Sequence, residues 1–226
     1  MRILYYSFTL TVLIGFVCGC AVTRPSARVE ARLAAPSTEP ERVYLGLSNG
    51  VSNFKLEDVA CDLLVVDCFD MYCHVCQSGA KRVNRLYSLI QERGLGQRVK
   101  MIGLGVGDTP LETTTYRDKF KVPFPVFPDR RAAVARSLGP LRVPNVIVLR
   151  KRGDHLIPIY SNPGELREPE QFLTHLETSL DGKIPAAWAK PIVSTQATCI
   201  PGSGSCRLPA VLDTEPSAGS RCPVFH

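Results

Sequence analysis

Runs of like charge are missing from this chain. No block of five or six lysines, arginines or acids interrupts it, and a net charge of +6 over 226 residues is mild. Such a surface is mixed and solvated, so no nucleic-acid partner is expected. Long apolar runs are also missing: the stretch from Leu10 to Val17 is too short to span a bilayer stably. The four histidines are scattered, and six residues separate both Cys61 from Cys68 and Cys199 from Cys206. Neither spacing is that of paired zinc ligands, so no metal is expected. Gln77 rather than histidine follows Cys76, which excludes covalent haem attachment. "GLGVGD" at Gly103–Asp108 lacks the full dinucleotide fingerprint and its later acid, and reads as a turn. No internal repeat is present, and the length suits one well-filled core or two small domains.

What is present begins with an export signal. "MRILYYSFTLTVLIGFVCGC" has one early Arg2, the short apolar run and small residues at its end. Its close, Val17-Cys18-Gly19-Cys20, resembles a bacterial lipoprotein signal. The resemblance implies a signal peptide over 1–19 and a lipid on Cys20, and acyl chains of this kind hold a soluble domain firmly to a membrane. Ala21 follows, which by bacterial sorting rules slightly favours the outer membrane. The expected location is the cell envelope, facing the periplasm. Residues 20–42 are rich in Pro, Ala, Ser and charge and read as a tether.

Strand-like and helix-like segments then alternate. "DLLVVDCF" (Asp62–Phe69) is a nearly continuous apolar run, as a strand buried on both faces requires. A helical pattern follows from His74 and stops before Gly94. Val99–Val106 reads as a strand, and a helix opens at Pro110. "FPVFPD" is a short edge-like strand limited by its prolines. Arg130–Gly139 carries a helix closed by its glycine. "NVIVLRKRGDHLIPIY" is a hairpin, and "EPEQFLTHLETSL" is a last helix. The order predicts an α/β domain over 43–182, a central mixed β-sheet with helices on both faces. Residues 183–226 are rich in Pro, Gly and Ser without a sustained period, and read as an irregular extension carrying cysteines.

Seven cysteines remain beyond Cys18 and Cys20, so one thiol at least is free, transiently paired or paired between chains. Cys73 and Cys76, in "DCFDMYCHVCQ", are by spacing alone a redox pair, half a zinc site or a structural bridge. Their position between a strand and a helix start favours redox chemistry. A thiolate there faces unpaired N–H groups and the positive end of the helix dipole, which favour the charged form. Cys76, one turn further in, can close a small ring with Cys73. Cys68 reads as a buried small hydrophobe and Cys61 as exposed before the strand. Cys199 and Cys206 are candidates for a local loop disulfide, or for delivering a tail thiol to Cys73.

"VVDCFDMYCHVC" resembles the active-site strand and helix start of thioredoxins. The matching features are an acid six residues before the first cysteine, an aromatic residue directly before it, and the CxxC pair. "SLGPLRVPNVIVL" resembles the stretch leading into the cis-proline strand, and the segment Val99–Asp129 resembles the insertion of membrane-tethered TlpA-like redoxins. The resemblance covers Val43 to Asp181. It implies a thioredoxin-like fold and thiol-disulfide exchange with no cofactor beyond a Cys73–Cys76 disulfide. In that scheme Cys73 attacks, Cys76 resolves and Asp67 moves protons. Val143 and Pro144, as a cis pair, shape the substrate groove with Tyr72 and His74. His74 and Val75 stand where many relatives carry proline, so a net reductant and a net oxidant both stay open. His74 either stabilises the thiolate when protonated or points into water.

The expected function is extracytoplasmic thiol-disulfide exchange with exported cysteine-containing proteins, coupled to an unidentified membrane electron donor or acceptor. Two alternatives stand beside it. One is a lipid-anchored interaction module without turnover. The other is a redoxin-type peroxidase, whose motif needs a Thr three residues before the cysteine, where this chain has Asp70.

Overall fold

The computed structural model describes residues 31–139 and 142–188, and the backbone of 198–199 and 206–207. The expected signal peptide, Cys20 and Cys222 lie outside the described residues. Five strands build the central sheet. They are β3 (Leu63–Phe69), β4 (Val99–Val106), β5 (Val126–Asp129), β6 (Asn145–Arg152) and β7 (His155–Pro163). Two two-residue strands, β1 (Leu33–Ala34) and β2 (Asn53–Phe54), pair with each other, as do β8 (Thr198–Cys199) and β9 (Cys206–Arg207). The helices are α1 (Glu39–Leu45), α2 (His74–Glu92), α3 (Pro110–Phe120), α4 (Ala133–Leu138) and α5 (Pro169–Leu180).

Every residue of β3 and of β4 is buried, as their continuous apolar runs require. The sheet order is β5-β4-β3-β6-β7. β3, β4 and β5 run parallel, β6 pairs antiparallel to β3, and β7 pairs antiparallel to β6. This is the thioredoxin-like α/β arrangement that the sequence resemblance implies, with "FPVFPD" forming the edge strand.

Alternation along β3 divides the core in two. Leu64, Val66 and Cys68 face one side, packed beneath Leu33, Leu45, Phe54 and α4. Leu63 and Val65 face the other, against Leu86 and Ile90 of α2 and Phe172 and Leu176 of α5. Phe69 continues that second face and stacks on Tyr116 of α3, ring centroids 4.0 Å apart. Asp67 lies between Val65 and Phe69 on the same face. The strand period therefore aims its carboxyl group at α2, beneath the cysteines.

The domain begins earlier than the sequence pattern suggests. Residues expected to be tether already fold: Leu33 is buried in the core, and Glu39–Leu45 is a helix whose Leu45 is fully buried. The charge and proline content of this stretch hid single apolar anchors too sparse to form a period. The domain also ends later. A 3₁₀ turn at Ala186–Trp188 inserts Trp188 against Tyr160 and Phe172, ring centroids 4.6 and 5.2 Å away. In the tail, the backbone of Cys199 lies opposite that of Cys206 in antiparallel register. Among the described residues, no helix is long and apolar enough to cross a membrane.

Gly103 marks where the sheet has no room. A Cβ there would sit 2.7 Å from Val126 Cγ1 and 3.1 Å from Phe69 Cε1. Gly103→Ala is expected to cost about 1–3 kcal/mol through overpacking. Urea unfolding checks this, with a lowered midpoint at an unchanged slope.

Candidate active site

Cys73 is the N-cap of α2. Its Sγ accepts the backbone N–H of Cys76 at 3.2 Å, satisfying one of the donors a helix start leaves open. Cys73 is half-buried and Cys76 buried, and both are free thiols. Burial, then a hydrogen bond to Cys73, pushes the Cys76 thiol well above its ordinary range. The pair is therefore unequal: Cys73 is half-buried, and the more deeply buried Cys76 holds its proton more tightly than an ordinary thiol.

The loop before Cys73 is pinned from several sides. Asp70 accepts Tyr72 N–H on its side chain at 2.7 Å and Cys73 N–H on its carbonyl at 3.1 Å. Gln77 donates to the Met71 carbonyl at 2.7 Å. Met71 N–H reaches the two carboxylate oxygens of Asp108 at 3.1 and 3.2 Å. Burial raises Asp108 to about 6, the Met71 N–H opposing the shift. Helix α3 supplies the rest. Thr109 and Glu112 form a capping box, Glu112 accepts the Tyr72 hydroxyl at 2.8 Å, and the Tyr116 hydroxyl donates to the Cys76 carbonyl at 3.0 Å.

Asp67 lies under this assembly. It is buried, and desolvation alone raises its carboxyl group to about 7. Asp67 and Cys76 line one small cavity of about 10 Å³, together with Tyr116 and Pro144. That volume is on the order of one water.

The Val143–Pro144 peptide bond is cis. Antiparallel register sets Asn145 opposite Cys68, so Pro144 falls beside the end of β3 and beneath the cysteines. The Pro144 carbonyl accepts Gly164 N–H at 2.7 Å, tying the cis-proline turn to the loop after β7. Val143 packs against the small cluster formed by Phe69, Cys76, Ala80 and Tyr116.

The structure thus brings together Asp67, Cys73, Cys76, Val143 and Pro144 at one end of the sheet. Tyr72 and His74 flank the cysteines at the surface, Tyr72 exposed and hydrogen-bonded to Glu112, His74 exposed as the first residue of α2. Cys68 is buried on the opposite sheet face, as its position in the strand predicted. Cys61, expected to be exposed, is half-buried beside that same face, and burial pushes its thiol up to about 11. Neither belongs to the site. Among the described residues, no cluster of three or more His, Cys, Asp or Glu could hold a metal. Sequence reasoning missed Asp108, Tyr116 and Glu112. The Thr109-x-x-Glu112 spacing of a capping box was a legible signal for the last, and nothing local marks the first two.

The AhpC/TSA family model matches residues 35–154. Thiol-disulfide oxidoreductase ResA of Geobacillus thermodenitrificans is 24% identical over 121 residues, covering 54% of this chain and 66% of that protein. The protein of the same name from Geobacillus kaustophilus is 25% identical over 124 residues, covering 54% and 67%. The chain thus spans about two-thirds of the length of these relatives. Among solved structures, MTB dsbF in its mixed oxidized and reduced forms is 16% identical with a TM-score of 0.48. That match covers 68% of this chain and 96% of dsbF.

The Asp67 shift makes a stability prediction. The folded state holds this proton up to about pH 7, whereas an unfolded aspartate releases it near 4. Between those values the folded state binds more protons, so stability falls as pH rises. The cost is absent below about pH 4, complete above about pH 7, and amounts to about 4 kcal/mol. Asp67→Asn is therefore expected to be more stable than the natural chain at about pH 8. Denaturant unfolding across pH checks this, and the advantage should close toward about pH 4.

Proposed function

The chain belongs to the AhpC/TSA family, and from that premise we propose that it is an extracytoplasmic thiol-disulfide oxidoreductase working through Cys73 and Cys76. One observation carries the reading: a half-buried Cys73 sulfur caps α2, while Cys76 shares a cavity with the buried acid Asp67. A structural bridge needs neither the cavity nor the acid.

The exchange follows from these positions. The Cys73 thiolate attacks one sulfur of a substrate disulfide, forming a mixed disulfide as the other substrate sulfur leaves as thiolate. Cys76 passes its proton to Asp67, and the Cys76 thiolate then attacks Cys73 Sγ. A Cys73–Cys76 disulfide forms and the second substrate thiol departs. Run backwards, the same steps oxidise a dithiol. Asp67 titrating near 7 suits the proton transfer, because a group poised at ambient pH both takes and returns a proton. Val143 and Pro144 form the groove wall beside Cys73, and the exposed Tyr72, His74 and Val75 offer surface to a polypeptide. The substrates are exported proteins bearing cysteines, and a membrane component supplies or takes electrons. The protein works in the cell envelope, held to a membrane by lipid on Cys20 and facing the periplasm.

Asp70 separates this reading from peroxide chemistry. The peroxidatic motif of related redoxins carries threonine at this position, and here an aspartate side chain braces the Tyr72 amide instead.

In an insulin-disulfide reduction assay the natural chain is expected to turn over and Cys73→Ser to lose turnover. Cys76→Ser should accumulate mixed disulfides that a reductant releases, and the captured proteins name the substrates. Absence of any Cys73-dependent exchange would leave an interaction module. Cys73-dependent peroxide consumption without disulfide exchange would instead favour a peroxidase. In a bacterial host, Cys20→Ser should shift the chain from the membrane to the soluble fraction; a chain that stays membrane-bound removes the lipid from the scheme.

A further inference from the structure

The cavity shared by Asp67 and Cys76 has one more ionisable wall, Glu165 in the loop between β7 and α5. Its other walls are apolar, including Phe69, Val83, Val146 and Leu166, apart from the Tyr116 hydroxyl, which already donates to the Cys76 carbonyl. Asp67 is buried, so a proton it takes has no direct way to water. Glu165 has a side chain 27% exposed. Of the ionisable groups around the cavity, it is the one that also meets solvent.

The chain keeps room for this carboxylate. Gly79 sits on α2 one turn after Cys76, and a Cβ there would lie 3.2 Å from Glu165 Cγ and 3.4 Å from Oε1. A Cβ at this position would make Glu165 give by a few tenths of an ångström. The groups facing Glu165 are Arg82, which ion-pairs with it, and Ser78, whose Oγ donates at 3.4 Å. The titratable groups that interact with Asp67 are Cys76 from α2, Tyr116 from α3 and its strand neighbour Cys68. Fastening the loop does not need the carboxylate. Arg82 Nε donates to the Leu166 carbonyl at 2.8 Å, and Gly164 N–H is held by Pro144.

We propose that Glu165 is the outer proton carrier of the site, moving protons between the Asp67–Cys76 cavity and solvent. The inference rests on the exchange reading above. As a substrate disulfide is reduced, Cys76 gives its proton to Asp67. Asp67 passes it through the cavity to the Glu165 carboxylate, which releases it to water and is left as it began. No electrons move in this transfer. The natural condition under which it matters is acidic: when Asp67 starts out protonated, it must discharge before Cys76 can ionise.

The test uses the reduced full chain, loaded at Cys73 with one thionitrobenzoate from the aromatic disulfide DTNB. Release of thionitrobenzoate by Cys76 is followed across pH, with Cys76→Ser as the blank. Glu165→Gln is expected to slow release on the order of tenfold at about pH 6 and to converge with the natural chain at about pH 8. Glu165→Asp should restore most of the acid-side rate. A Glu165→Gln profile identical to the natural one, or slowed equally at every pH, overturns the carrier role while leaving exchange intact. A natural chain that releases nothing through Cys76 overturns the exchange reading, and the carrier with it.

Discussion

Moving an ionised carboxylate out of water costs several kcal/mol unless a cation or strong donors offset it. For Asp67 burial alone sets the titration, with no cation contributing. The strand places it there because β3 is buried on both faces and alternates, so the residue between Val65 and Phe69 must point at α2. The cost appears as a proton held near neutrality directly beneath Cys76. Much else at this end of the molecule follows. The cavity must be small enough to keep the acid desolvated, and Tyr116, Pro144 and the helix itself close it.

The cysteines depend on a second set of restraints that are polar and come from a neighbouring element. The loop Asp70–Cys73 has no regular structure, yet its amides are taken up by Asp70 and Asp108, and its Met71 carbonyl by Gln77. Through Asp108, Glu112 and Tyr116, the β4–α3 corner fixes where α2 begins. Capping by Cys73 then holds its sulfur at the first turn of the same helix that buries Cys76. A single helix start thus produces two thiols of different character.

Much of this was legible in the residues themselves. The apolar run of β3, the glycine stop after α2, Pro110 at the start of α3 and the Gly-Asp turn between β6 and β7 are local signals, and each forms the expected element. Asp67, Cys73, Cys76 and Pro144 could be singled out because their spacing matches a known pattern, and the sheet brings them together. Asp108, Tyr116 and Glu165 were not legible. They reach the site from other strands and helices through register, which no local pattern encodes. The fold's early start was hidden for a related reason, since Leu33 and Leu45 are isolated apolar residues in a polar, proline-bearing stretch, and only tertiary packing makes them core.

That early start limits reach. A lipid on Cys20, as proposed, leaves residues 21–32 before the first core anchor, Leu33. Twelve residues fully extended cover about 40 Å, against about 75 Å for a tether running to Arg42. The folded body would therefore be leashed within roughly its own diameter of the bilayer surface. Proteins would have to bring their cysteines to that thin layer to meet Cys73.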